Sequence, residues 1–309
     1  MSEATTPRHA SARPRALAVA LPIGLAVTAL GSLWSLAGVP AAAPAASTEP
    51  PAPAVAAQLP QVQVEATIAA DPCADAAVQT AVAAGDDVAT IAAFGGGEAF
   101  RAAVAAGNAP CIALDDPDRL WVVVNKARPL SADFTPTGLV DTQLRTTTTA
   151  GSLRAEPAAA IDALAAAVSD AGAGVLGMNN GYRSYGMQEN TYRQHVSATG
   201  QSAADEVSAR PGFSEHQTGL ALDVVSCGSG CGGIHAFGGT REGGWVAEHA
   251  WEYGYIVRYL DGETPITGYS PEPWHLRYIG TELATAYHDG GYATLEEFFG
   301  LPAAPDYTG

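Results

Sequence analysis

The stretch Ser214–Asp223, SEHQTGLALD, sets an imidazole, His216, ahead of a Gly-Leu-Ala-Leu-Asp run. Leu220–Val225 is short, apolar and bounded by Gly219 and Cys227, so it reads as a buried strand. Side chains alternate along a strand, which puts Ala221 and Asp223 on one face, with the small alanine leaving room beside the carboxylate. Gly219 permits a tight turn between His216 and that strand. A second stretch, Glu272–His275, EPWH, offers a carboxylate and an imidazole. Pro273 biases Glu272 toward extended backbone and keeps the segment out of a helix.

Together these groups suit one kind of chemistry. A catalytic Zn²⁺ takes three protein ligands and keeps a fourth position open for water or substrate. A base beside that water makes the site hydrolytic. His216, Asp223 and His275 are the candidate ligands and Glu272 the candidate base. Spacing does not by itself bring the two stretches together. Taken singly, Glu215 and Glu272 can equally be solvated surface charges. His9, His195, His235, His249 and His288 read as ordinary core or surface histidines, with His235 and His249 nearest to a role.

Around these stretches the pattern mixes helices and strands without strict alternation. That predicts an α+β fold with a mostly antiparallel sheet. Strands are expected at Leu120–Asn125, Val175–Asn179, Tyr255–Tyr259 and Trp274–Tyr278. Glu156–Asp170 is expected to be helical, with Pro157 in its first turn and Ile161, Leu164, Ala165 and Val168 along one side. Further helices are expected at Tyr185–Ser197, Thr240–Tyr253, Thr281–His288 and Thr294–Phe299.

The N-terminal part reads differently. Arg8, Arg13 and Arg15 precede a charge-free apolar run, Ala16–Val39, of bilayer-spanning length. It reads as a signal anchor or a cleaved signal peptide, with the rest of the chain exported and small residues at 41–46 as a cleavage site. Residues 40–70 are an Ala/Pro-rich tether. Residues 71–115 read as a small helical cap, and residues 116–309 as the main domain. A formal net charge of −17 argues against nucleic acid as a partner. In an exported chain the four cysteines suggest disulfides, of which three connectivities are possible. Cys73–Cys111 with Cys227–Cys231 is favoured, because each pair lies in one local segment.

SEHQTGLALD and EPWHLRYIG match the SxHxxGxAxD and ExWH signatures of VanY-like zinc D,D-carboxypeptidases, in the LAS group of peptidoglycan peptidases. VVVNKARPL, LRAEPAAAIDAL, GYRSYGMQ, AWEYGYIVRY and TGYSPEPWH extend the resemblance, in the family's order, over about Leu120–Gly290. It does not cover residues 1–110. The resemblance implies a compact domain with a central antiparallel sheet flanked by helices, preceded here by the helical, disulfide-stapled segment. It implies zinc on His216, Asp223 and His275, with Glu272 as base. Arg183, Gln188 and Ser214 would hold the peptide's terminal carboxylate and carbonyl, and Tyr259 would line the cleft. The implied substrate is a peptidoglycan stem peptide ending in D-Ala-D-Ala; the N-terminal segment makes the enzyme extracytoplasmic, and a monomer is expected. Two other readings are an L,D-carboxypeptidase trimming tetrapeptide stems and a non-catalytic wall-binding module with a structural zinc. Three ligands and an intact Glu272 favour an enzyme, since structural zinc sites close with four protein ligands. One departure is Asn180, where the family often has Ser. The sequence holds no S-x-x-K motif, so serine-based penicillin-binding chemistry is not supported.

Overall fold

A computed structural model describes residues 71–148 and 151–308. The apolar run 16–39 and the tether 40–70 lie outside the described residues. Among the described residues no helix is long and apolar enough to cross a membrane.

The described chain opens with three short helices, α1 (Ala76–Ala84), α2 (Asp87–Ala93) and α3 (Gly97–Ala105). Strands β1 (Leu139–Asp141), β2 (Arg145–Thr146) and β3 (Ser152–Arg154) lead into the long helix α4 (Ala155–Asp170). Then come β4 (Leu176–Asn180), α5 (Tyr185–Thr199), α6 (Gln201–Val207) and β5 (Ala221–Ser226). Next are α7 (Arg241–His249), β6 (Tyr255–Tyr259), α8 (Thr264–Thr267) and β7 (Glu272–Tyr278). Helices α9 (Thr281–Asp289) and α10 (Leu295–Phe298) close the order.

The main sheet runs β2-β4-β5-β7-β6. Only the short β2/β4 pair is parallel, and the other pairs are antiparallel. The alternation of β5 and β7 separates two environments. Leu222, Val224, Leu276 and Tyr278 pack with Ile161, Leu164 and Val168 of α4. Their neighbours Asp223, His275 and Arg277 point to the other side, where Asp223 sits opposite His275 and Ala221 opposite Arg277. A second core joins Ile91 and Phe100 of the first helices to Trp121, Val123, Ile279, Leu283 and Phe298. Disulfides Cys73–Cys111 and Cys227–Cys231 are both formed.

Three element expectations need correction. Leu120–Asn125 is not a strand. Its apolar side chains are buried as a strand's would be. Its backbone, however, finds partners outside any ladder. Arg277 Nη2 donates to the carbonyls of Leu120 (3.1 Å) and Val122 (2.6 Å), and Val123 N–H donates to Leu114 O (2.8 Å). The helix expected at Thr240–Tyr253 changes to a 3-10 turn at Ala250–Tyr253, ended by Gly254 at φ +80°. After α5 the chain turns at Gly200, φ +82°, into α6, which periodicity did not signal.

Candidate metal centre

His216 sits in a 3-10 turn, Glu215–Thr218, that ends at Gly219 in the left-handed region, φ +70°. The adjacent GYRS loop braces this turn. Arg183 N–H donates to His216 O at 3.2 Å, and His216 Nδ1 lies 2.8 Å from Gly181 O. A carbonyl only accepts, so Nδ1 carries the proton and Nε2 offers its lone pair. Nε2 faces Asp223 Oδ2 at 3.4 Å.

His275 is turned the other way. Its Nδ1 lies 3.2 Å from Asp223 Oδ1 and 3.5 Å from Glu272 Oε2. Its Nε2 lies 3.3 Å from Glu215 Oε2, buried beneath the site. Glu215 thus orients the ring as carboxylates behind metal-bound histidines do. Of the two readings open for Glu215, a solvated surface charge does not hold. Its Oε1 accepts from Arg258 Nε (3.0 Å) and Arg277 Nη1 (2.9 Å), with all three side chains fully buried. Burial alone would raise the Glu215 carboxyl, but the two guanidinium groups hold it far below the usual range.

One ligand atom from each of His216, Asp223 and His275 lies within 4.8 Å of the others. Asp223 Oδ1 is buried and accepts no hydrogen bond, despite the His275 nitrogen beside it. A buried carboxylate that turns one oxygen to each imidazole, with Oδ1 accepting no hydrogen bond, fits a divalent cation, and the N,N,O donor set suits zinc.

A cavity of about 640 Å³ opens over this trio. Glu272 lines it, opposite Tyr259 in the β6/β7 register. Burial, against the pull of His275, lifts the Glu272 carboxyl to about 7. Burial disfavours the His275 imidazolium, yet the facing carboxylates of Asp223 and Glu215 raise it to about 9. Arg183 lines the same cavity, and its Nε is buried without a partner. Burial lowers its pKa against the attraction of Asp223 and Glu272.

Ser214, 4 % exposed, and Tyr259, 6 % exposed, also line the cavity. Tyr259 packs on the His275 ring at 5.0 Å. Gln188 stands apart from the residues that line it. Fully buried on α5, it donates to Ala209 O at 2.6 Å and so supports the wall from behind. Sequence reasoning gave no role to Tyr269 and took His195 as an ordinary histidine, yet both lie on the cavity wall. It left His235, which meets Trp274 edge-on at 4.9 Å, without a role.

The family profile described as VanY, D-alanyl-D-alanine carboxypeptidase, matches residues 150–281. YodJ of Bacillus subtilis (strain 168), a presumed carboxypeptidase, is 37% identical over 190 residues, which is 60% of this chain and 69% of that protein. The chain belongs to the VanY-like carboxypeptidase family. A D-alanyl-D-alanine carboxypeptidase of Enterococcus faecium is 35% identical over 121 residues, 39% of this chain and 35% of that protein. The solved structure of the LdcB LD-carboxypeptidase aligns with a TM-score of 0.56 and 38% identity, covering 60% of this chain and 87% of that one. The LAS-type α+β fold expected from the motifs is therefore the fold observed.

Proposed function

We propose that this VanY-like enzyme is a zinc-dependent carboxypeptidase that hydrolyses the terminal D-alanine from peptidoglycan stem peptides. The observation that carries the reading is the buried Asp223 carboxylate between His216 and His275, its Oδ1 without a hydrogen bond, with Glu272 and Arg183 facing the same cavity. When bound, zinc supplies a Lewis acid and acidifies a water toward neutral pH. Arg183 grips the substrate's free carboxylate, a task suited to a planar guanidinium with an unspent donor. Glu272 takes the proton of the attacking water and returns it to the leaving amine. Its raised pKa suits a group that must do both near neutral pH. Glu215 and Gly181 hold the two imidazoles in the ligating tautomers. Ser214 and Tyr259 shape the cleft.

A second reading, cleavage of an L,D bond in tetrapeptide stems, is favoured by the likeness to LdcB. We further propose that residues 71–309 act outside the cytoplasmic membrane, brought there by the N-terminal segment. Two disulfides among the described residues support this. The test is alanine release from two peptides, one ending in D-Ala-D-Ala and one in an L-residue followed by D-Ala. Chelation should abolish release and zinc should restore it. Full activity after chelation would refute the metal reading, and release from the L,D peptide alone would refute the D,D reading.

A further inference from the structure

The last residues of the chain lie beyond the family match, which ends at 281. They nevertheless meet both walls of the cavity from behind. One wall is Ser208–Ala209, continued by Arg210, and the other is Tyr269–Ser270. Tyr307 touches both. Its hydroxyl accepts the Arg210 N–H at 2.9 Å and lies 3.2 Å from the Tyr269 hydroxyl. The Arg210 guanidinium lies over the Tyr307 ring at 4.1 Å, and Phe213 meets that ring edge-on at 4.9 Å.

The tail is fastened beside this point. Ala304 N–H donates to Ile266 O at 2.7 Å. Lys126, the single lysine of the sequence, is 3 % exposed. Its Nζ donates to Gly268 O at 2.5 Å and to Pro305 O at 3.3 Å. None of its hydrogen bonds reaches a carboxylate. In direct contact the charge meets carbonyl oxygens and the faces of Tyr269 (4.7 Å) and Tyr307 (5.2 Å), while Asp205 and Asp306 attract it without a hydrogen bond. Gly268, at φ +77°, lets Pro305 O and the Lys126 stem approach its backbone, where a Cβ would collide with both. From Tyr269 the packing runs to Tyr259 at 5.1 Å and on to His275.

We propose that residues 304–308 form a clasp that fixes the width of the substrate cavity, with Tyr307 as its positioning residue. Tyr307 is not among the residues lining the cavity. It acts through Tyr269 and the 208–210 backbone. Its loss should therefore weaken substrate fit and leave the metal centre intact. Only the kinetic arm of the test rests on the proposed carboxypeptidase activity.

The variant Tyr307→Phe removes the hydroxyl and keeps the ring. In the full chain, amide exchange at 208–210 and 268–270 should speed up, and Lys126 should react faster with an amine-specific ester. KM for a peptide ending in D-Ala-D-Ala should rise about five- to tenfold, the scale of one lost hydrogen bond. kcat should stay within about twofold and zinc content should be unchanged. Unchanged exchange and labelling would overturn the clasp. So would a fall in kcat that tracks loss of zinc, because that marks a merely structural role. If the unaltered protein releases no alanine, the functional reading fails, while exchange and labelling still decide the clasp.

Discussion

Asp223, buried, and Glu272, half-buried, are carboxylates beside His275 whose surroundings fit the different roles proposed for them. Asp223 is held ionised, burial being outweighed by His216 and His275. Its unpaired oxygen completes the donor trio. Glu272 is lifted to about 7 and lies 3.5 Å from His275 Nδ1, facing the cavity. Divergent environments of this kind are how neighbouring acids divide ligand and base roles. Glu272→Ala is therefore expected to keep about one zinc per chain and to lose turnover by roughly 10²–10⁴-fold, the usual reach of general-base catalysis. His275→Ala should instead lose the metal. Metal analysis and a rate on one peptide read both outcomes. Equal metal loss in the two variants would make Glu272 a ligand and not the base.

The elements bring these residues together through register and turns. Asp223 lies directly across from His275 in the β5/β7 pair. A slip of one residue would turn one of them to the opposite face. Gly219 holds the turn between His216 and β5 at φ +70°, and a Cβ there would lie 3.1 Å from Leu139 Cδ2. Gly219→Ala should thus cost about 1–2 kcal/mol, since L-residues pay that to enter the left-handed region. It should also weaken zinc binding by displacing His216. Denaturant unfolding of the metal-free protein and a zinc titration measure the two effects. Unchanged zinc affinity would show that the turn does not set the ligand. Much of this was legible beforehand. The grouping of His216, Asp223, His275 and Glu272 at one site, the turn glycine and strand β6 follow from residue types, spacing and family motifs. The β5/β7 register was not legible, because it is set by pairing between segments far apart in sequence. Leu120–Asn125 misled, because an apolar β-branched run reports burial and not the partner of its backbone. That partner is a guanidinium from β7. Glu215 stayed open between surface and site for the converse reason, since a charge followed by His and Gln declares its burial only when its arginines are known. The one available signal was the repeated Arg-Tyr pair, Arg258-Tyr259 and Arg277-Tyr278, each after an apolar residue near the end of a strand.

Across the described residues, that buried charge network joins the candidate metal centre to the C-terminal helices. Arg258 reaches from Glu215 to Glu296, with Nη2 2.8 Å and Nη1 3.1 Å from the Glu296 carboxylate, and Asn125 donates to the same carboxylate at 2.9 Å. Burial raises the Glu296 carboxyl, but Arg258 outweighs it and holds the group below its ordinary value of 4.5. A carboxyl whose folded pKa is depressed binds protons more readily in the unfolded chain. Its contribution to stability is complete above pH 4.5 and is lost as pH falls through the lower folded value. Glu296→Gln removes that titration and leaves the Arg258 charge with one carboxylate fewer. Near pH 7 the variant should be less stable by about 3–5 kcal/mol, the cost of breaking a buried ion pair from one side. As pH falls below 4.5 the unaltered protein protonates Glu296 and gives up its advantage, so the two stabilities should converge. Urea midpoints of the metal-free proteins across this range measure the gap, and chelation keeps acid release of zinc out of the comparison. A gap that stays constant from neutral pH into acid would mean that Glu296 acts through packing and hydrogen-bond geometry, with no electrostatic link to Arg258.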